Sequence, residues 1–97
     1  MKHLRTYHLA VQFFHLCKVI TLKGELKDQL FRAASSIVLN LAEGSGKRTI
    51  PDQKRFYRIA MGSLRESQAI LDLLGTEKVD VIAIADKLGA HLYKLTI

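Results

Sequence analysis

The sequence predicts an all-α fold, an antiparallel up-down-up-down four-helix bundle in which residues 1–97 form a single domain. Three observations predict it. Apolar residues recur at helical spacing in four segments of comparable length. The breaks between those segments are short and carry glycine or proline. Period-two runs and hairpin dipeptides, the marks of strands, are missing from the sequence. Helices of about twenty residues are roughly 30 Å long, and short turns between equal helices make sequential neighbours antiparallel.

The first helix is expected from about Leu4 to Leu22, with Leu9, Phe13, Leu16 and Ile20 as its core stripe and Lys23-Gly24 as a tight turn after it. The second is expected from Glu25 to Glu43. Leu30, Ala34, Ile37 and Leu41 fall at i, i+4, i+7 and i+11 on one face. Gly44 and Gly46 follow, offering the left-handed backbone freedom that helix C-termini prefer, and then Lys47 and Arg48, cations suited to the negative end of a helix dipole. The third helix opens near Thr49, where Thr49, Pro51 and Asp52 read as cap, first-turn proline and first-turn acid. It runs to about Leu74, with Phe56, Ala60, Leu71 and Leu74 expected on the core face. Gly75-Thr76 ends it and caps the fourth helix, which runs from Glu77 towards the C-terminus. Gly89 lowers the helical preference of that last segment by on the order of 1 kcal/mol relative to alanine.

The formal net charge is +6 and the isoelectric point about 9.7. The excess is concentrated. Between Lys47 and Arg65 six cations (Lys47, Arg48, Lys54, Arg55, Arg58 and Arg65) face one acid, Asp52, a local charge of +5. Such a concentration is the footprint of a polyanion partner; the other reading is a solvated helix face. Lys54, Arg58 and Arg65 lie within about 40° of one another on the third helix, with Arg55 beside them. Arginine suits phosphate through its planar fork of donors. Together with Lys47 and Arg48 these residues are the candidate nucleic-acid-binding set, for RNA or DNA backbone without sequence readout. Tyr57 is placed a quarter-turn towards the core, so stacking on unpaired bases is not expected.

Apolar residues make up 48% of the chain, high for so small a domain. The fourth helix carries two apolar faces. Val81, Ile84, Leu88, Leu92 and Leu95 form one; Val79, Ile82, Ala90, Tyr93 and Ile97 lie roughly opposite. Tyr7, Val11 and Phe14 lie off the core stripe of the first helix, and Leu39 projects from the polar side of the second. A symmetric homo-oligomer would bury them; a broad core-facing arc with scattered surface apolar residues is the alternative. The candidate oligomer-interface residues are Tyr7, Val11, Phe14, Leu39, Val79, Ile82 and Tyr93.

Catalytic and metal chemistry find no support in spacing. The segment GSGKRT lacks the glycine, the hydroxyl and the preceding strand of a phosphate-binding loop, with Leu41 and Arg48 at the decisive positions. His8 and His15 share a face but stand about 10 Å apart. Ser35, Ser36, Ser63 and Ser67 pair with no His and acid, and read as small residues at helix contacts. Asn40 and Glu43 read as members of a polar network at a subunit contact, with Gln29, Arg32 and Ser36. No cofactor is expected, and the chain is read as non-enzymatic. The lone Cys17, within FFHLCKVI, excludes an intrachain disulfide and reads as a buried small hydrophobe. His15 and Lys18 interrupt the N-terminal apolar run, against a signal peptide. No stretch of eighteen uninterrupted apolar residues could span a membrane, and a cytoplasmic location is expected.

The combination RAASSI…NLAEGSGKR, continued by FYRIAMGSLRES, resembles the four helix bundle protein family encoded by intervening sequences in bacterial 23S ribosomal RNA genes. In this chain Asn40, Ala42, Glu43 and Gly44 match the family's NIAEG-like motif, Arg48 its following basic position, and Ala60, Gly62, Ser63 and Leu64 its A-x-GSL segment. The resemblance covers nearly the whole chain, most tightly Gln29 to Leu74. It implies a compact bundle, a ring-shaped homopentamer with a central channel, and nucleic-acid binding. The same fold includes the accessory protein of diversity-generating retroelements, which implies a reverse transcriptase as a possible partner. Two departures stand out. Val38 and Leu39 occupy positions where the family often has proline and then serine, so the second helix is expected to be straighter. The connection around Gly24 is also short, without the usual proline-bearing loop.

Overall fold

A computed structural model describes residues 2–20 and 24–97. Among them lie four helices: α1 (Leu4–Lys18), α2 (Glu25–Ser45), α3 (Ile50–Leu73) and α4 (Val79–Thr96), with no strand. Helix α1 packs on α2 and α4, and α3 packs on the same two, so α1–α3 and α2–α4 are the diagonals of a four-cornered bundle. Its backbone extends 40 × 23 × 19 Å. The up-down-up-down order places the α2–α3 turn and the far end of α4 at one end of the bundle. The α1–α2 and α3–α4 connections lie at the other.

The element boundaries follow local chemistry. Helix α1 stops at Lys18, short of the expected Leu22. The Val19 N–H still reaches the His15 carbonyl at 3.3 Å, and the Ile20 N–H turns back to the Cys17 carbonyl at 3.2 Å. Residues 21–23, where the remainder of that expectation and half of the Lys23-Gly24 turn fall, lie outside the described residues. Gly24 itself sits at φ +86°. Thr49 caps α3 as its spacing predicts, its Oγ1 accepting the Asp52 N–H at 3.3 Å. Gly75, at φ +66°, closes α3 with paired bonds. Its N–H donates to the Asp72 carbonyl and that of Thr76 to the Leu71 carbonyl, both at 3.0 Å. Thr76 does not cap α4. That helix starts at Val79, two residues after the expected Glu77, with Lys78 at the cap position and no side-chain cap.

Two expectations about glycine require correction. Gly44 is helical, inside α2, and Gly46 sits at φ −89°, so neither uses left-handed freedom. Gly46 and Lys47 instead tighten the helix end by donating to the Glu43 and Gly44 carbonyls at 3.2 and 3.1 Å. Gly44 is there for space. A Cβ at that position would stand 2.7 Å from Cε1 of Tyr57 and 3.1 Å from Cβ of Phe56.

The core joins Phe13 of α1, Leu30, Ile37 and Leu41 of α2, Tyr57, Leu64 and Leu71 of α3, and Val81, Leu88 and Leu92 of α4. The second-helix stripe and the inner face of α4 are as the periodicity predicts. The phase of α3 is turned slightly from the expected one, although Ala60 and Leu71 are buried as expected. Its buried line runs Gln53, Tyr57, Ala60, Leu64, Ser67, Ile70 and Leu71. Phe56 and Leu74, expected in the core, are only half-buried, and Tyr57 is inside. Two polar members disguise this line in the sequence. Gln53 is buried because its Nε2 donates to the Lys47 carbonyl at 3.0 Å. Ser67 is buried because its hydroxyl donates to the Ser63 carbonyl at 2.8 Å. Cys17 is buried in α1, and burial pushes its thiol up to about 12. Among the described residues no helix is long and apolar enough to cross a membrane.

Candidate nucleic-acid interface and two uncovered apolar faces

The six candidate cations divide into two groups. At the α2–α3 corner, Lys47 Nζ lies over the Phe56 ring, 5.1 Å from its centroid. The Arg55 guanidinium lies over the same ring at 4.5 Å. Phe56 thus holds two cations by its π-face, and Arg48 stands exposed in the turn between them. Lys47 is also paired with Glu43, one helical turn back, Nζ to Oε1 at 3.3 Å. The second group leans the other way along α3, towards α4. Arg58 Nη2 donates to the Thr96 carbonyl at 3.0 Å, and Arg65 Nη1 donates to Gln68 Oε1 at 2.7 Å. Lys54 lies half-buried on the same flank. All six keep exposed or half-exposed charge, so the surface stripe exists, but its guanidinium groups do not converge on one point.

Sequence reasoning missed Phe56 as part of this surface. Its signal was Gly44: a glycine inside a helix, facing a partner helix, marks a large side chain pressed against it. That side chain is Tyr57. Its phenol is buried without a hydrogen-bond partner among the described residues, and burial raises its pKa. The His3 ring meets it edge-on at 5.7 Å.

Asn40 belongs to a polar seam within the chain. Its Nδ2 donates to the Ser36 carbonyl at 2.8 Å and to the Ser36 hydroxyl at 3.0 Å. Ser36 and Ser63 share a hydroxyl–hydroxyl bond at 2.8 Å across α2 and α3. Small hydroxyl side chains thus join the two helices at close range. Glu43 is not part of it, its carboxylate going to Lys47. Among the described residues no three His, Cys, Asp or Glu side chains gather as metal ligands would.

The seven candidate interface residues also separate. Val11 and Phe14 of α1 and Leu39 of α2 line one apolar groove of about 280 Å³, closed by His15, Ser35 and Val38. Leu39 is 65% exposed there. The Phe14 ring meets Phe31 edge-to-face at 5.2 Å. Phe31 is itself half uncovered, and the sequence reading had not singled it out. Tyr7 is half-buried a turn below Val11. Val79, Ile82 and Tyr93 lie elsewhere, on the outer side of α4, exposed by 78%, 45% and 60%. Ile82 borders a cleft with Gln68, Leu71, Asp72, Thr76, Ala85 and Asp86, and so lies on the α3 side of α4. The bundle therefore carries one uncovered apolar surface on its α1–α2 side and another on its α3–α4 side.

A family model described as the 23S rRNA-intervening sequence protein matches residues 3–96. No curated protein matches the chain. The chain belongs to the 23S rRNA-intervening sequence protein family.

Proposed function

We propose that this protein is a non-catalytic, self-associating nucleic-acid-binding protein that holds sugar-phosphate backbone at its α2–α3 corner. The observation that carries this reading is the pair of cations held over Phe56, Lys47 at 5.1 Å and Arg55 at 4.5 Å, with Arg48 exposed in the turn beside them. Cation–π contacts restrict two flexible side chains before any ligand arrives, which reduces the ordering cost of binding. Because both cations occupy its ring, Phe56 acts as their support and is not a platform for a base. Contacts of this kind position a strand or duplex and read no sequence. Arg58 and Arg65 extend the surface along α3, but their hydrogen bonds to Thr96 and Gln68 must be shared or exchanged when phosphate binds.

Self-association supports the reading in a second way. A homo-oligomer, five-fold if it follows the ring implied by the family resemblance, repeats the corner around one rim and multiplies weak contacts.

Filter binding of single-stranded and duplex probes across a salt series tests it. Retention at low salt should fall steeply as salt rises, because bound phosphates release counterions. The double variant Arg48→Glu/Arg55→Glu should lower affinity at least tenfold and flatten the salt slope by about 2 on duplex DNA. Arg58→Glu/Arg65→Glu should lose less, since those guanidiniums are already engaged. Absence of retention by the wild type at low salt overturns the proposal.

A further inference from the structure

We propose that the groove between α1 and α4 is a second surface for nucleic-acid backbone, so that one chain holds two duplex segments, one on each side of the bundle. The inference rests on the nucleic-acid reading above and adds a site that the α2–α3 corner does not include. The groove encloses about 430 Å³ and is lined by Leu4, Arg5, His8, Leu9, Gln12 and Lys87. Leu9 is buried at its base, while Arg5, His8, Gln12 and Lys87 are exposed along its sides.

Charge marks the groove for a polyanion. Among the described residues no carboxylate lines it. From Met1 to Gly24 the sequence holds four Lys or Arg and no Asp or Glu, so α1 forms a wall without acid. Arg5 and Lys87 have no carboxylate partner; the ion pair present among the described residues joins Lys47 to Glu43. On α4, Lys87, His91 and Lys94 recur at i, i+4 and i+7, which is one face. That row is about 10 Å long, and phosphates repeat every 3.4 Å or so along the axis of one strand. Two acids of α4 are close in sequence, and neither enters the groove. Asp86 lines the cleft on the α3 side. Asp80 shares the Lys87 side but stands two turns before it, about 10 Å away, its Oδ1 accepting the Val81 N–H at 2.9 Å. The start of α1 adds to the same potential. It borders the groove with Leu4 and Arg5, and its first turn has neither a side-chain cap nor an acid.

Position gives the two-sided reading. Helices α1 and α3 are diagonal, as are α2 and α4, so the α1–α4 side lies opposite the α2–α3 side. The body of the bundle separates the two basic surfaces, and its shorter dimensions are 23 and 19 Å. Duplex DNA is stiff over about 150 bp and does not wrap so narrow a body. A duplex seated at Lys47, Arg48 and Arg55 therefore leaves the groove open to another. Both contacts are to phosphate, so the pairing of segments is independent of their sequence.

The test counts duplexes and asks whether they are joined. A short duplex titrated into the wild type at low salt should saturate at two per chain. Arg5→Glu/Lys87→Glu, at two exposed positions, should keep its helical circular dichroism and saturate at one. Arg48→Glu/Arg55→Glu should also saturate at one, and the four substitutions together should bind none. Lys18→Glu/Lys27→Glu makes the same change in net charge at the other end of the bundle and should leave two. Bridging is read separately, as recovery of a labelled duplex on beads that carry an unlabelled one. The wild type should bridge and the Arg5/Lys87 variant should not, although it still binds. An oligomer with one site per chain would also bridge, but it would go on doing so without Arg5 and Lys87. Saturation of the wild type at one duplex per chain, or bridging that survives in the Arg5/Lys87 variant, overturns the second surface and leaves the corner reading intact. Capture of polyglutamate but not duplex by the groove assigns it to an acidic protein segment and overturns the proposal as well. A wild type that binds no duplex overturns both readings.

Discussion

Along the seam between α2 and α3, the unusual residues are answered within the chain, the buried Tyr57 hydroxyl excepted. Gly44 makes room for Tyr57, Ser36 meets Ser63, Asn40 is tied to Ser36, and Gln53 reaches the Lys47 carbonyl. Along α4 the inner line of Val81, Leu88 and Leu92 is equally buried, but Val79, Ile82 and Tyr93 on the outer side stay exposed. The seam is finished by local contacts, while α4 has a second face that its own bundle does not complete. The comparison separates residues present for folding from residues available for association, although both kinds are apolar and helical.

The widest break in that comparison comes from contrasting two leucines. Leu64 of α3 is fully buried, and Leu64→Ala should cost about 2–5 kcal/mol, read as a lower midpoint in urea unfolding. Leu39→Ala, at a surface position, should change the stability of the single chain by no more than about 0.5 kcal/mol while weakening any assembly. If both substitutions cost the same in a dilute monomer, the division between folding and association residues fails.

Two glycines sharpen the contrast. Gly44→Ala forces its new methyl group onto the Tyr57 ring and should cost about 1–3 kcal/mol. Gly89 of α4 faces Leu64 with room for an ordinary contact, a Cβ there standing 3.5 Å from Cδ2. Gly89→Ala should therefore be neutral or raise stability by up to about 1 kcal/mol through helix preference. Thermal unfolding followed by circular dichroism should show a clear loss for Gly44→Ala and none for Gly89→Ala. Between them in size falls Thr49→Ala, which removes the cap of α3 and should cost about 1 kcal/mol.

What the sequence made legible follows the same division. Leu30, Ala34, Ile37 and Leu41 mark the α2 stripe because nothing polar interrupts them, and Thr49-Pro51-Asp52 marks the start of α3 because cap chemistry is local. The two faces of α4 were legible for the same reason, apolar residues recurring cleanly at both angles. The phase of α3 was not. Phe56 and Tyr57 are adjacent aromatics, hydropathy favours the phenylalanine for the core, and the polar Gln53 and Ser67 hide the buried line. Which aromatic turned inward depended on Gly44, in another helix. The candidate basic set was legible as composition. Its division was not, because the leaning of Arg55 towards Phe56 and of Arg58 towards Thr96 depends on neighbours across the bundle.

Cys17 gives the bundle an internal clock. Its thiol ionises in the folded chain only near pH 12, against an ordinary value of 9.0, and the thiolate is the form that alkylating reagents attack. Labelling at neutral pH therefore counts the moments when α1 lifts from its neighbours. The ratio of that rate to the rate of a free thiol gives the opening equilibrium directly. The same displacement sets a direction with pH. Between about 9 and 12 the unfolded chain has released the Cys17 proton and the folded chain has not, so stability must fall as pH rises through that window and be unaffected by this group below it. If labelling slows as protein concentration rises, association and opening are coupled, and the rate at this one buried sulfur would report how firmly neighbouring copies hold the first helix in place.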